Sequence, residues 1–178
     1  MDSLSHPHWQ ALTPATLDAF HLVSRLEFIN RFYLAGGTGL AIHFGHRFSV
    51  DLDFFSAESD AVGFDQRSAL RALLDDPLLE IIHDKDATFA VIWRGVGISF
   101  FRLNMYPLVK PPLLLEGVPL ASVEEIGAMK LAAVLVNVVA SLVLLPVAVF
   151  LFKDRISWVN AAGIVVCCIG LIMLNWKR

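Results

Sequence analysis

Two carboxylates and a run of glycines are the residues of this chain best suited to chemistry. Asp51 and Asp53 alternate with apolar residues, so as part of a strand they project from the same face. The sequence Gly36-Gly37-Thr38-Gly39 precedes them, where a predicted strand gives way to a helix. Each signal alone is weak, since a Gly-Gly turn or an Asp-x-Asp pair is common. Together they predict phosphoryl chemistry, because N–H groups at a helix start bind phosphate and paired carboxylates hold Mg²⁺ against it.

The elements that must position these residues can be placed by periodicity and by turn residues. Thr13 is predicted to cap a first helix that begins at Pro14, and Gly45 to end a helix over Leu40–Phe44. The other predicted elements are strands over 32–35 and 48–55 (Val50, Leu52 and Phe54 on one side), a helix over 64–74, a hairpin over 87–103 turning at Arg94-Gly95, a proline-rich loop over 107–119, and a helix after the capping box Ser122-x-x-Glu125.

The overall composition excludes several classes of protein. The chain has 178 residues, of which 56% are hydrophobic and 17% charged, with a net charge of −3. A disordered chain would have lower hydrophobicity and more charge, and a general nucleic-acid-binding protein would carry a basic surface. The two cysteines are the adjacent Cys167 and Cys168, which excludes a disulfide framework.

Charge is distributed unevenly, and this divides the chain at residue 130. Two runs without a charged residue, 131–152 and 156–176, are separated by Lys153-Asp154-Arg155. Each is long enough to cross a hydrocarbon core of about 30 Å. We therefore predict two domains: residues 1–130, and a hairpin of two transmembrane helices in residues 131–178. Because no signal peptide is evident, both termini are expected on the cytoplasmic side of the inner membrane.

The glycine and aspartate motifs resemble those of a known family. The sequence Gly36-Gly37-Thr38-x-Leu40, then Gly45-His46-Arg47, Ser49 and Asp51-Leu-Asp53-Phe-Phe, is similar to the core of the AbiEii-type nucleotidyltransferase toxins. The resemblance continues through residues 97–101, 106–107 and 122–131, and so covers roughly 15–135. These toxins belong to the DNA polymerase beta-like superfamily, which implies an α+β fold with a mixed sheet and flanking helices.

The resemblance implies a Mg²⁺-dependent enzyme that transfers a nucleoside monophosphate from an NTP to an acceptor. Transfer RNA 3′ ends are one target class of the family, and an antitoxin protein is the implied partner. The implied site residues are Asp51 and Asp53 as catalytic metal ligands, Lys130 as the catalytic residue that neutralises phosphate charge, and Gly36, Gly37, Thr38, Arg47 and Ser49 as nucleotide-binding residues.

Several of these residues also have simpler interpretations. Lys130 could instead be a lysine whose charged end reaches out of a membrane boundary. Arg47 could pair with a nearby acid, and Ser49 could only steady its strand. His43 and His46 lack further ligands for a metal, so a packing or capping role is favoured.

The C-terminal part resembles a different family. The segments 144–158 and 163–174 are similar to the last two helices of EamA-like and small multidrug resistance transporters, and this likeness covers about 134–176. The acidic helix that follows the lysine in the toxin family has no counterpart, because the chain has no acid between Glu125 and Asp154. The sequence thus suggests a truncated nucleotidyltransferase core joined to a transporter-like tail. The alternatives are a transporter fragment acting in the membrane and a non-functional fusion product.

Overall fold

A mixed β-sheet forms the framework of the N-terminal part of the chain. The structure is a computed structural model, and it describes residues 2–73, 79–103, 108–152 and 163. Within these residues the sheet has seven strands in the order β3-β4-β5-β2-β1-β7-β6. The strands are β1 (Tyr33–Leu34), β2 (Asp51–Ser56), β3 (Leu79–Lys85), β4 (Thr88–Trp93), β5 (Val96–Arg102), β6 (Leu113–Leu115) and β7 (Val118–Leu120).

The sheet contains both parallel and antiparallel pairs. Strand β2 runs parallel to β5, and β1 runs parallel to β7, whereas the other neighbouring strands are antiparallel. The hairpin of β4 and β5 turns at Arg94 and Gly95, as predicted, and both residues have a positive φ. The α+β core with a mixed sheet is therefore confirmed.

Four α-helices accompany the sheet in the described residues. They are α1 (Pro14–Val23), α2 (Gly36–Phe44), α3 (Phe64–Leu73) and α4 (Val123–Phe152). The predicted cap of α1 is confirmed, because Thr13 Oγ1 accepts a hydrogen bond from the Thr16 N–H at 3.2 Å. The predicted end of α2 is also confirmed, because Gly45 adopts a left-handed conformation with φ of 62°.

The larger of two hydrophobic clusters lies on one face of the sheet and contains the alternate side chains Leu52 and Phe54 of β2. Leu52 and Phe54 of β2 and Ile98 and Phe100 of β5 are fully or almost fully buried. The rings of Phe54 and Phe100 are stacked with centroids 5.0 Å apart. By the alternation of a strand, Asp51 and Asp53 lie on the opposite face.

Helix α2 begins four residues earlier than predicted, at Gly36 rather than Leu40. Glycine disfavours a helix, so the sequence suggested a turn here. The helix nevertheless includes these glycines, and packing requires one of them, because a Cβ at Gly39 would lie only 2.8 Å from Cδ1 of Ile126. The prediction that Val50 shares the buried side of β2 was wrong, since Val50 precedes the strand and is 51% exposed.

The predicted proline-rich loop contains a hairpin, β6 and β7. It turns at Glu116 and Gly117, which have φ of 48° and 87°. Strands of three residues are too short to show alternation, and Pro119 argued against a strand. Strand β3 was also missed, because most of its residues are exposed and it shows no clean apolar alternation.

Two compact units divide the chain, Met1–Met129 and Lys130–Arg178. Residues 131–152, the first predicted span, form the C-terminal part of α4. The second predicted span, 156–176, lies outside the described residues except for Gly163. No helix found in the described ranges combines the length and apolar character needed to cross a membrane. The predicted transmembrane hairpin is therefore not supported.

Candidate active site

Asp51 and Asp53 begin strand β2 on the sheet face opposite the larger hydrophobic cluster. Buried Leu52 and Phe54 fix the strand, and six residues of β2 pair with β5. Asp51 is exposed and Asp53 is partly exposed, so both carboxylates can be reached by a ligand. The alternation predicted for Asp51, Leu52, Asp53 and Phe54 is thus present.

The N-terminus of α2 begins directly beside Asp53. The Ala35 N–H donates a hydrogen bond to the Asp53 carbonyl at 3.0 Å, which joins the start of the helix to β2. A Cβ at Gly36 would lie 2.7 Å from Oδ2 of Asp53, and the φ of Gly36 is 65°. Only glycine satisfies both constraints without displacing the carboxylate. The first N–H groups of α2, which have no acceptor within the helix, therefore lie next to the carboxylate pair.

A guanidinium group lies at the same helix end. Nη2 of Arg47 comes so close to Gly37 that any side chain at position 37 would displace it. The N-terminus of a helix carries a partial positive charge, and the guanidinium adds a full one. Two positive groups at one place are stabilised by an anion, and a phosphate group matches both the N–H donors and the guanidinium.

Two buried hydroxyl groups connect α2 to the segment before β2. The side-chain oxygens of Thr38 and Ser49 are 2.7 Å apart, and Thr38 Oγ1 also donates to the carbonyl of Asp51. Both residues are at least nine-tenths buried. These bonds hold the backbone of Asp51 beside the helix start.

The ionisation of Asp53 is disfavoured by its surroundings. Burial raises the pKa of the Asp53 carboxyl, and the negative charge of Asp51 raises it further. A cation beside Asp53 would offset both effects, because it favours the ionised form of the carboxyl.

The donor set at this point fits a divalent cation. In the described residues, no group of three or more His, Cys, Asp or Glu side chains is arranged to hold a metal. Asp51 and Asp53 therefore offer two protein carboxylates. Mg²⁺ is commonly bound by one or two carboxylates, with waters and substrate phosphates as its other ligands.

Most of the predicted site residues come together in the first unit. They are Gly36, Gly37, Thr38, Arg47, Ser49, Asp51 and Asp53. Lys130 is the first residue of the second unit, and its role stays a prediction. His43 Nε2 lies 2.9 Å from the carbonyl oxygen of Ala121, which agrees with the packing role considered for it.

One residue of the site was not predicted. Gly97 of β5 pairs with Asp51, and a Cβ at this position would lie 2.7 Å from Oδ1 of Asp51. A glycine within an otherwise alternating strand is a known sign of close approach by another group. That sign is present in the sequence, but it does not reveal which group approaches.

Comparisons with known proteins identify a family whose model this chain matches. The family model described as "Nucleotidyl transferase AbiEii toxin, Type IV TA system" matches residues 20–140. An uncharacterized protein of Aquifex aeolicus is 34% identical over 119 residues, which are 66% of this chain and 56% of that protein. The chain thus spans little more than half the length of this relative.

Two solved structures share a weaker similarity. The crystal structure of JHP933 from Helicobacter pylori matches with a TM-score of 0.42 and 20% identity, covering 67% of this chain and 57% of that one. The solution structure of the antibiotic-resistance factor ANT(2'')-Ia matches with a TM-score of 0.41 and 13% identity, covering 86% and 85%. The family match ends at residue 140, and none of these similarities supports the predicted EamA-like transporter segment.

Proposed function

Because this chain belongs to the AbiEii family of nucleotidyltransferase toxins, we propose that it transfers a nucleoside monophosphate from an NTP to an acceptor hydroxyl group. The observation that carries the proposal is the position of Asp53, whose Oδ2 would lie 2.7 Å from a Cβ at Gly36. A cation-binding carboxylate and a phosphate-binding helix start are thus neighbours, as a bound nucleoside triphosphate requires.

Different residues of the site bind the phosphates and the cation. The N–H groups of Gly36 and Gly37 and the guanidinium of Arg47 bind the triphosphate. Asp51 and Asp53 hold the divalent cation, which would neutralise charge on the phosphate oxygens. Thr38 and Ser49 keep the backbone of Asp51 in place.

Group transfer then needs only alignment of the reactants. The acceptor oxygen forms a bond to the α-phosphorus while the bond to the bridging oxygen of the pyrophosphate breaks. The hydroxyl proton passes to solvent, and pyrophosphate leaves. The carboxylates and the helix start act by positioning and by charge stabilisation, which are the main contributions to phosphoryl transfer.

The experiment that tests the proposal measures labelled nucleotide on total RNA. The purified full-length chain is incubated with each of four α-labelled NTPs and Mg²⁺, beside an Asp51→Asn variant. We expect labelling by the wild-type protein and a loss of at least 100-fold in the variant, because one cation ligand is removed. Asp18→Asn, which changes an exposed carboxylate on α1, is the matched control and should label as the wild type does.

Two results would reject the proposal. One is the absence of labelling with every NTP by folded wild-type protein. The other is equal labelling by wild-type protein and the Asp51→Asn variant, which would place the activity outside this carboxylate pair.

For the acceptor we propose the 3′ end of transfer RNA, which rests on the family resemblance. Sequencing the 3′ ends of the labelled RNA tests this point directly. Added nucleotides confined to transfer RNA would support it, whereas label spread over all RNA classes, or on DNA offered in competition, would contradict it.

The family description also supports a toxin that is neutralised by an antitoxin partner. Expression of the chain in a bacterial host should then arrest growth, and the Asp51→Asn variant should not. Equal growth arrest by both proteins would separate toxicity from nucleotide transfer. A host gene that restores growth would identify the antitoxin.

Membrane attachment of residues 131–178 stays a separate proposal, favoured by the uncharged runs 131–152 and 156–176. The full chain should remain in the membrane pellet after extraction with alkaline carbonate. Its release into the supernatant would contradict both the attachment and the expected location at the inner membrane.

A further inference from the structure

The two carboxylates of the site are each in close contact with a glycine. Oδ2 of Asp53 would lie 2.7 Å from a Cβ at Gly36, and Oδ1 of Asp51 would lie 2.7 Å from a Cβ at Gly97. Real Cβ atoms almost never approach an oxygen this closely. Each carboxylate therefore occupies the space that a side chain on the neighbouring backbone would fill.

Gly97 reaches Asp51 through the pairing of two parallel strands. In the register of β2 and β5, Asp51 pairs with Gly97 and Asp53 pairs with Ser99. The glycine is thus present beside Asp51, whereas a side chain is tolerated beside Asp53, which leans toward Gly36 instead. The Asp51 carboxylate is therefore the group that requires a glycine at this position of β5.

We propose that Gly97 is a positioning residue for the site: because it lacks a side chain, the Asp51 carboxylate can lie over β5 in the orientation that binds a divalent cation together with Asp53. This inference rests on the proposed function for the identity of the bound group. Gly97 acts through Asp51 and does not itself contact substrate.

The contact predicts an unusual combination of effects for Gly97→Ala. The nearest atom to the added methyl group is the far end of the Asp51 side chain, and Cγ follows at 3.4 Å. Rotation of one flexible side chain relieves the clash without moving the backbone. Alanine also restricts the unfolded chain more than glycine does. The variant should therefore fold as well as the wild type and bind a cation less well.

The experiment measures Mn²⁺ binding by titration calorimetry with the full-length protein, together with thermal unfolding of the metal-free protein. For Gly97→Ala we expect a dissociation constant about 10- to 100-fold higher, as is typical when a residue that orients a metal ligand is changed. Gly97→Ser should weaken binding at least as much. The midpoint of unfolding should not fall in either variant.

A double-mutant cycle separates positioning from a general structural effect. In protein that already carries Asp51→Asn, adding Gly97→Ala should change Mn²⁺ binding by less than about twofold, because the oriented group is gone. Gly127→Ala is the matched control, since a Cβ at Gly127 meets nothing within 4 Å. It should leave Mn²⁺ binding unchanged.

Three results would overturn the inference. These are Mn²⁺ binding by Gly97→Ala equal to that of the wild type, loss of cooperative unfolding in Gly97→Ala, and an equal effect of Gly97→Ala with and without Asp51. Wild-type protein that transfers nucleotide without binding Mn²⁺ would reject this inference alone. If the variants show the expected coupling between Gly97 and Asp51 in Mn²⁺ binding but the wild-type protein transfers no nucleotide, only the proposed function is rejected.

Discussion

The hydroxyl groups of Thr38 and Ser49 show how single buried residues hold the backbone around the candidate site. Their oxygens are 2.7 Å apart, and Thr38 also bonds to the carbonyl of Asp51. A buried polar group must be paired, because its water has been removed. The pairing therefore sets the spacing between α2 and the first residue of β2.

Replacing Thr38 by valine should destabilise the protein. Valine keeps the shape of threonine but leaves the Ser49 hydroxyl and the Asp51 carbonyl without this partner. The expected loss in the free energy of unfolding is about 1–3 kcal/mol, measured by urea denaturation.

The control for this prediction is Ser68→Ala, which removes an exposed hydroxyl on α3. It should change stability by less than about 0.5 kcal/mol. If the two variants were equally stable, the buried hydroxyl pair would not be structural.

The sequence predicted some of these residues and not others. Asp51, Asp53 and Gly36 could be recognised because the i, i+2 spacing and the glycine turn are local features. Gly97 could not be assigned to Asp51, since their contact depends on the register of two strands that are distant in the chain. The burial of Thr38 likewise depends on the packing of α2 against the residues before β2.

At the scale of elements, an arginine pair joins α3 to β3. Arg67 and Arg71, one turn apart on α3, both donate to the carboxylate of Asp84 on β3. Burial by itself raises the pKa of the Asp84 carboxyl, but the hydrogen bonds and charges of the two arginines outweigh it, and the net effect is a lowered pKa.

The contribution of this ion pair to stability should depend on pH. Since the pKa of Asp84 is lower in the folded than in the unfolded state, the ion pair stabilises the protein above the unfolded pKa of about 3.9. This stabilisation is lost as the pH falls through the lower, folded pKa. At pH 7, Asp84→Asn should lower the free energy of unfolding by on the order of 1 kcal/mol.

The measurement is urea unfolding of both proteins between pH 7 and the most acidic pH at which they fold. The difference in the free energy of unfolding between the wild-type protein and Asp84→Asn should shrink as the pH falls. Asp86→Asn is the control, because Arg67 donates to the backbone carbonyl of Asp86 rather than to its side chain. A constant difference across the pH range would mean that the Asp84 charge contributes nothing.

Elements were predictable where a local signal decides them. The cap at Thr13, the end of α2 at Gly45 and the hairpin turn at Arg94-Gly95 follow from backbone preferences of single residues. The early start of α2 at Gly36 does not, because it lies in a run of glycines, whose backbone preference is against a helix. The capping box was half correct: the Glu125 N–H donates to Ser122 Oγ at 3.3 Å, while the Glu125 carboxylate accepts from Val109 and Lys110 instead.

At the scale of the whole molecule, the site should link cation binding to stability. In the folded state burial disfavours the ionised carboxyl of Asp53, and the negative charge of Asp51 adds to this cost. A cation that binds only the folded state stabilises it by mass action, by about 2.7 kcal/mol at 100 times its dissociation constant.

Thermal unfolding with and without Mn²⁺ measures this effect. The midpoint should rise for the wild-type protein and stay nearly constant for Asp51→Asn, with Asp18→Asn again as the control. A rise of the same size in wild-type protein and Asp51→Asn would show that Mn²⁺ binds elsewhere.

The two parts of the molecule differ in how far the sequence could predict them. The nucleotidyltransferase-like core was predictable, because its motifs lie within one segment of strand, turn, helix and strand. The predicted transmembrane hairpin rested on hydropathy alone, and hydropathy does not distinguish a helix that lies in lipid from one that is covered by protein.

The long-range pairing of β2 with β5 also determines when the site can exist during synthesis. Translation adds about 5 to 20 residues per second, so the ribosome completes Asp51 and Asp53 seconds before Gly97. Until β5 has left the ribosome, the carboxylates have no neighbouring strand on that side. Strand β1 gains its parallel neighbour later still, since Leu34 pairs with Leu120 of β7. A nascent chain therefore carries both motifs without an assembled site, and the candidate site is complete only when β7, the last of the described strands, has been made.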